Sequence, residues 1–183
     1  MDGPIAVQWW WLPGFRLGWG YHRFVEPAIM PIPDGLLAPG TAGRPFEPVA
    51  AIDDVPVGGM LRVTRTDVDL LVAHSEEGIC VIDDRCPHMS APLSIGVLHG
   101  CVVACPLHRG HFDLATGETV QFPTTGGLDA DGGYHPPWAP VGSAERTEPT
   151  DLKAQARALT RVRRLRYYPV RIRSGMIEVS FPG

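Results

Sequence analysis

The sequence predicts an all-β protein in which short antiparallel strands are joined by tight turns and long loops. Among its 183 residues, 21 are glycine and 19 are proline, a share that favours turns and loops over a helix bundle. The apolar stretches are short, and some alternate with polar residues, as residues 60–64 do after Gly58 and Gly59. The length suits one domain with additions rather than two domains.

Three pairs of apolar stretches flank turn-forming residues and are therefore predicted to be β-hairpins. They are residues 70–73 with 79–82, residues 97–98 with 102–104, and residues 168–172 with 176–180. One short helix is also predicted, because Thr150 or Asp151 can cap a helix that continues through about Thr160.

The balance of charge and the cysteine count limit the partners and the compartment. Acidic residues outnumber basic ones by 20 to 16, which argues against nucleic acid as the main partner. No run of about 18 uncharged apolar residues is present, so no membrane span is predicted. A basic stretch followed by an apolar one is missing from the first residues, so we expect a cytoplasmic protein. There, the four cysteines are expected to be thiols or metal ligands rather than disulfides.

The composition divides the chain at about residue 49. Residues 1–48 are an extension rich in proline, glycine and aromatic residues, with seven large aromatic side chains between Trp9 and Phe24. These side chains would be costly to leave in water, so they are expected to cover the main domain or to form a partner surface. Residues 49–183 form the main domain, which includes a polar insert at about residues 124–160.

Two short loops combine one cysteine, one proline and one histidine each. Residues 86–88 read Cys-Pro-His and, after sixteen intervening residues, residues 105–108 read Cys-Pro-Leu-His. Chance placement, a structural zinc ion and a two-iron, two-sulfide cluster are the three alternatives. The Cys-x-His arm is shorter than the usual zinc-finger spacing, and the surroundings are hairpins. The candidate ligands are Cys86, His88, Cys105 and His108.

This pattern resembles the Rieske [2Fe-2S] ferredoxin family. The matching residues are 86–96, Cys-Pro-His-Met-Ser-Ala-Pro-Leu-Ser-Ile-Gly, and 105–118, and the resemblance extends over roughly residues 49–123 and 163–181. It implies a Rieske-like antiparallel β-sandwich of three layers. A small cluster-binding subdomain, formed by the loops within residues 85–113, would lie at one tip of the sandwich.

The resemblance also implies the cofactor and its ligands. One Rieske [2Fe-2S] cluster per chain would have Cys86 and Cys105 on one iron and His88 and His108 on the other. In the family these imidazoles lie near the surface. Both histidines are therefore expected to be points where electrons enter and leave.

Departures from the respiratory members of the family predict a low-potential, oxygenase-associated type. Those members carry a disulfide between the cluster loops, at positions that correspond here to Ala91 and Leu107. They also carry hydroxyl donors to the cluster sulfur where this chain has Gly110 and Phe112. The predicted potential is therefore near −150 mV rather than +300 mV, about the two ends of the Rieske range. Arg109 stands where the family usually has glycine, and its side chain is predicted to point to solvent.

The resemblance implies an electron-transfer protein that carries one electron from a flavin-dependent ferredoxin reductase to a terminal oxygenase. The alternative is a non-catalytic subunit held permanently in a larger oxidoreductase, with residues 1–48 and 124–160 as assembly surfaces. A complete oxygenase would need a mononuclear iron site with two histidines and a carboxylate. Only His135 follows His111, so no catalysis by this chain is predicted.

The remaining cysteines and histidines are predicted to have structural or surface positions. Cys80 and Cys101 lie in apolar strands and are expected to be buried thiols. Four histidines are expected to be unpaired surface or turn residues, namely His22, His74, His99 and His135.

Overall fold

The computed structural model describes residues 26–65, 68–148 and 150–183. The aromatic run from Trp9 to Phe24, and His22 within it, lie outside the described residues, as does the choice between a covering segment and a partner surface. No helix in the described ranges is long and apolar enough to cross a membrane.

In these ranges the chain forms twelve β-strands, one α-helix and one turn of 3-10 helix at Ile52–Asp54. The strands are β1 Phe46–Ala51, β2 Gly59–Thr64, β3 Asp69–Ser75, β4 Gly78–Asp83, β5 Val97–His99, β6 Val102–Ala104, β7 His111–Asp113, β8 Thr119–Gln121, β9 Gly127–Leu128, β10 Tyr134–His135, β11 Val170–Arg173 and β12 Met176–Ser180. The helix α1 spans Leu152–Ala158, and the Asp151 side chain caps it by accepting a hydrogen bond from the Ala154 amide at 2.7 Å.

The strands pair antiparallel in three sheets and one small ribbon. The sheets have the orders β1-β12-β11, β2-β3-β4 and β5-β6-β7-β8, and β9 pairs with β10. All three hairpins predicted from the sequence are present, as β3–β4, β5–β6 and β11–β12. The predicted all-β, antiparallel architecture is therefore confirmed.

The β2-β3-β4 sheet is the middle of three layers because β3 and β4 are buried on both faces. One face packs in a hydrophobic cluster with Ile177 and Val179 of β12, and the other packs with Val103 and Phe112 of the β5–β8 sheet. The first face carries Leu70, Val72, Ile79 and Val81, and the second carries Leu71, Ala73, Cys80 and Ile82. Burial on both faces explains why these strands are apolar runs rather than alternating stretches.

Residues 26–45 pack against the domain before the first strand begins. The Met30 amide donates to the Ile79 carbonyl at 2.9 Å, and the Ala38 amide donates to the Tyr167 carbonyl at 2.7 Å. Both Met30 and Ala38 are buried. The boundary near residue 49 stays a prediction, although β1 already begins at Phe46.

Side-chain contacts with Phe122, directly after β8, hold the insert at 124–160 against the β5–β8 sheet. The Trp138 indole N–H donates to the Phe122 carbonyl at 2.8 Å. The His135 ring stacks on the Phe122 ring with centroids 3.6 Å apart, and His135 Nε2 lies 3.1 Å from Asp129 Oδ2. The expectation that His135 is unpaired was therefore wrong, because ring stacking and a carboxylate hold its side chain.

The other histidines and the spare cysteines have distinct surroundings. His74 is buried, and its Nδ1 lies 2.7 Å from the Val55 carbonyl, so the expected surface position was wrong. His99 is exposed, as predicted. Cys80 is buried and Cys101 is half-buried, and neither forms a disulfide.

Candidate metal centre

Two loops with the same backbone hydrogen bonds bring the candidate ligands together in two pairs, Cys86 with Cys105 and His88 with His108. The first follows β4, and the second joins β6 to β7. In each loop the cysteine amide donates to the carbonyl five residues later, at 2.7 Å to Ala91 and 2.8 Å to Gly110. The carbonyl of each cysteine accepts from the amide four residues later, at 2.8 Å from Ser90 and 3.2 Å from Arg109.

Each loop turns through a left-handed residue at the equivalent position. Ser90 has φ of 58° and Arg109 has φ of 55°, a conformation that glycine adopts with less strain. The Arg109 side chain is exposed, as predicted. These shared features place the two cysteines equivalently, whereas the histidines stand two and three positions after them.

The two cysteine thiols are buried side by side. Cys86 and Cys105 are each 2% exposed. A hydrogen bond from Cys86, helped by nearby backbone amides, lowers the pKa of Cys105 to about 6, whereas the same contact together with burial raises the pKa of Cys86. In both loops the amides two and three positions after the cysteine are directed at its sulfur. The loop amides therefore favour negative charge on both sulfurs, as metal thiolates require, whereas the second thiol and burial oppose it at Cys86.

The two histidine rings meet edge to face. Their centroids are 4.9 Å apart and the ring planes are inclined by 83°. Burial, with a smaller contribution from His108, lowers the pKa of His88 to about 4. Burial and the charge of Arg146 lower the pKa of His108. Both imidazoles are therefore neutral at pH 7, which is the form that binds a metal.

Access to the two histidines is unequal. His88 is only 4% exposed, and its Nε2 lies 3.3 Å from the Thr125 hydroxyl of the insert. His108 is half-buried. The expectation that both imidazoles lie near the surface was therefore wrong for His88.

Two residues that support the site were not identified from the sequence. The carboxylate of Asp84 is buried and accepts from the amide and the hydroxyl of Ser94 at 2.7 Å and 2.6 Å, which closes the first loop. Thr125 contacts a ligand candidate 37 residues away. No local pattern reveals either contact, because both depend on the folded path of the loops.

The arrangement fits a centre that takes two protein ligands on each of two metal ions. Among the residues in the described ranges, no three or more His, Cys, Asp or Glu side chains are placed to hold one metal ion. A cysteine pair and a histidine pair, with a buried thiol side, instead suit two irons bridged by sulfide.

Known proteins with similar sequences and folds define the family. The Rieske [2Fe-2S] domain family matches residues 46–131. The chain is 36% identical over 76 residues to the ferredoxin component of the naphthalene 1,2-dioxygenase/salicylate 5-hydroxylase systems of Ralstonia sp, covering 42% of this chain and 73% of that protein. It is 39% identical over 75 residues to the ferredoxin component of the naphthalene 1,2-dioxygenase system of Pseudomonas putida, covering 41% and 72%.

Solved structures share the fold at low identity. The Sphingomonas yanoikuyae B1 ferredoxin superposes with a TM-score of 0.51 at 22% identity, covering 75% of this chain and all of that one. A chain from the complex of reduced oxygenase and oxidized ferredoxin in carbazole 1,9a-dioxygenase also has a TM-score of 0.51 at 22% identity, covering 75% and 94%.

The chain belongs to the Rieske [2Fe-2S] ferredoxin family. It binds a Rieske-type [2Fe-2S] cluster and is an electron carrier.

Proposed function

We propose that this chain carries one electron from a flavin-dependent reductase to a terminal oxygenase, on a cluster held by Cys86 and Cys105 at one iron and His88 and His108 at the other. The observation that carries the proposal is that two loops with the same backbone hydrogen bonds pair the two cysteines and pair the two histidines. The relatives are ferredoxin components of dioxygenase systems, which supports the oxygenase as acceptor.

When bound, the cluster supplies a one-electron couple, and the chain controls its surroundings. Buried Leu93 and Phe112 exclude water from the thiol side. The loop amides directed at the cysteine sulfurs stabilise negative charge there. Two neutral imidazoles in place of two thiolates make the centre less negative, which raises its potential above that of an all-cysteine cluster.

The potential is nevertheless expected to lie in the low part of the Rieske range. Neither Gly110 nor Phe112 has a hydroxyl that could donate to the cluster sulfur. A Cβ atom at Gly110 would lie 3.0 Å from the Phe112 ring and 3.3 Å from Pro123, so the loop is packed tightly around glycine. We expect a midpoint near −150 mV, about the lower limit for Rieske centres.

Turnover of an oxygenase substrate by this chain alone is not part of the proposal. A mononuclear iron site needs two histidines and a carboxylate, and His135 is the sole histidine after His111. His135 is already engaged by Phe122 and Asp129. The four free cysteines suit a reducing compartment, and we place the protein in the cytoplasm.

The test of the ligand set is an iron and acid-labile sulfide assay combined with EPR of the reduced protein. We expect about two irons and two sulfides per chain and a Rieske-type signal. His88→Ala and His108→Ala should abolish that signal, and His111→Ala is the matched control that should keep it. A colourless protein that retains one zinc ion would contradict the proposal.

A permanent subunit of a larger complex is the second candidate. Residues 1–48 and the insert at 124–160 would then provide the assembly surfaces. Purification from the native source separates the two functions. A carrier elutes alone and exchanges electrons reversibly, whereas a subunit stays with its partners at constant stoichiometry through salt washes.

A further inference from the structure

The two candidate histidine ligands differ in what lies outside their rings. Thr125 occupies the outer nitrogen of His88, at 3.3 Å, and leaves the ring 4% exposed. His108 has partial access to solvent. If both histidines bind the cluster, only one of them offers a partner a direct approach.

Thr125, which covers His88, is held in position mainly by backbone hydrogen bonds of the neighbouring residues. The Thr124 amide donates to the His108 carbonyl at 2.8 Å, and the Trp138 amide donates to the Thr124 carbonyl at 3.1 Å. The Trp138 indole adds its bond to Phe122 at 2.8 Å. These bonds hold Thr125 in place, so the cover is part of the folded domain.

The surface around His108 combines an apolar side chain with arginines. Leu107 is 60% exposed beside the ring. A cleft of about 440 Å³ adjoins it, lined by residues that include Leu107, Arg109, Glu145 and Arg146. Neither Arg109 nor Arg146 forms an ion pair with a carboxylate in the described part of the chain.

The arginines beside the first loop differ from Arg109 and Arg146 in charge pairing, because most of them form ion pairs with carboxylates. Four arginines, Arg85, Arg163, Arg164 and Arg166, line a cleft of about 250 Å³ next to that loop. Three of them have carboxylate partners, Arg85 with Asp69 at 3.9 Å, Arg164 with Glu118 at 2.9 Å and Arg166 with Asp83 at 3.6 Å. In the described part of the chain, two arginines without an ion pair and one carboxylate, Glu145, line the His108 cleft, whereas Arg163 is the one arginine without an ion pair in the cleft beside the first loop.

Arg109 is retained at a backbone position that glycine would occupy with less strain. Its φ of 55° lies in the left-handed region. Strained positions that persist in a fold often serve function. The side chain at this position borders the cleft beside His108, so the strain places a cation next to the exposed ligand candidate.

We propose that Leu107, His108, Arg109 and Arg146, the His108 face, form the docking surface for redox partner proteins, and that these partners present carboxylates around an apolar contact. The proposal rests on the proposed function, because it takes His108 as a cluster ligand. Local arginines attract an acidic partner even though the whole chain has a net charge of −4, and this contrast orients the partner. Since one face serves both exchanges, the electron donor and acceptor bind in turn.

The accessibility of His88 and His108 to solvent is tested by chemical modification of the oxidised holoprotein. Diethyl pyrocarbonate acylates accessible imidazole nitrogens, and peptide mass spectrometry identifies the modified histidines. We expect modification of His108 and protection of His88, and exposure of His88 in Thr125→Gly. Equal modification of both histidines in the unaltered protein would overturn the single docking face, whether or not the variant folds.

The role of the arginine charges in docking is tested with two haem proteins as electron acceptors, acidic cytochrome b5 and basic cytochrome c. Stopped-flow oxidation of the reduced protein should be faster with cytochrome b5 at low salt than at high salt. Arg146→Glu should slow it about tenfold at low salt and little at high salt. The matched control, Arg173→Glu at the exposed end of β11, should change the rate less than about twofold.

The outcomes separate this proposal from the proposed function. Each variant's midpoint potential is measured, so that a changed driving force is not mistaken for changed docking. Equal salt dependence in Arg146→Glu and the unaltered protein would overturn the docking face while electron transfer stands. Absence of a reducible cluster would overturn the proposed function itself. A dimer that Arg146→Glu dissociates would assign the face to a second copy of the chain.

Discussion

The two cluster loops have closely similar backbones, yet their surroundings differ. Both close with the same two hydrogen bonds and turn through a left-handed residue at the same position. The first loop is anchored by the buried carboxylate of Asp84, and its histidine is covered by Thr125. Within the described ranges no such side-chain contact covers His108 of the second loop, and exposed Leu107 and Arg109 flank it.

This difference shows that metal binding and partner access are separate properties, which the sequence motif alone does not distinguish. Loop geometry decides which atoms can bind a metal, and it is repeated in both loops. Access depends on chain segments that arrive from elsewhere, and here the insert contacts both loops but buries the His88 ring more completely than the His108 ring. A site with two equivalent halves thereby acquires one covered side and one open side.

The largest expected effect comes from removing either cysteine. Because the loops are equivalent at the thiol level, Cys86→Ser and Cys105→Ser should each abolish the [2Fe-2S] spectrum. The matched control is Cys101→Ser, a half-buried thiol outside both loops, which should keep the spectrum. Visible absorption and iron content measure the result. Retention of a full cluster in either loop variant would break the equivalence of the loops.

A large effect on stability is expected where the two loops meet. Gly96 follows the first loop, and a Cβ atom there would collide with the Ala104 carbonyl, directly before Cys105. Gly96→Ala should lower the free energy of unfolding of the holoprotein by about 2–4 kcal/mol. The control Gly100→Ala has open space around it and a φ of 58°, so it should cost only about 1 kcal/mol. Denaturant unfolding compares the two, and equal losses would argue against close packing between the loops.

A smaller effect tests whether the loops store equal backbone strain. Ser90→Gly and Arg109→Gly should each raise the free energy of unfolding by about 0.5–1 kcal/mol, because glycine adopts positive φ freely. Ser174→Gly, in the β11–β12 turn with φ of 51°, is the reference outside the site. If the free energy of unfolding rises for one loop variant and falls for the other, the two loop backbones are not energetically equivalent.

The smallest expected effect concerns the contact that distinguishes the loops. If His88 holds iron through Nδ1, its Nε2–H would donate to the Thr125 hydroxyl and thereby increase electron donation by the ring. Thr125→Val removes the acceptor, so the midpoint potential should rise by about 20 mV, corresponding to about 0.5 kcal/mol of hydrogen-bond energy. Voltammetry measures the shift, with Thr124→Val as control. A lower potential would mean that the hydroxyl donates instead.

Much of the fold was predictable because its signals are local. The three hairpins follow from apolar stretches on either side of turn residues, and the Asp151 cap follows from one side chain at a helix start. Periodicity did not reveal the middle position of β3 and β4, because a strand buried on both faces loses its alternation. Burial of His74 against the Val55 carbonyl was missed for the same reason, since the strand carries no outward face.

The amino-acid sequence by itself determined the candidate ligands, their spacing and the membership of the chain in a cluster-binding family. These properties reside in two short loops, where chemistry and backbone preferences act over a few residues. Only the tertiary structure decided that Thr125 closes off His88 while His108 stays accessible beside Arg109 and Arg146. Burial and charge neutralisation are sums over contacts between distant segments, so they exist only once the insert has folded against the loops.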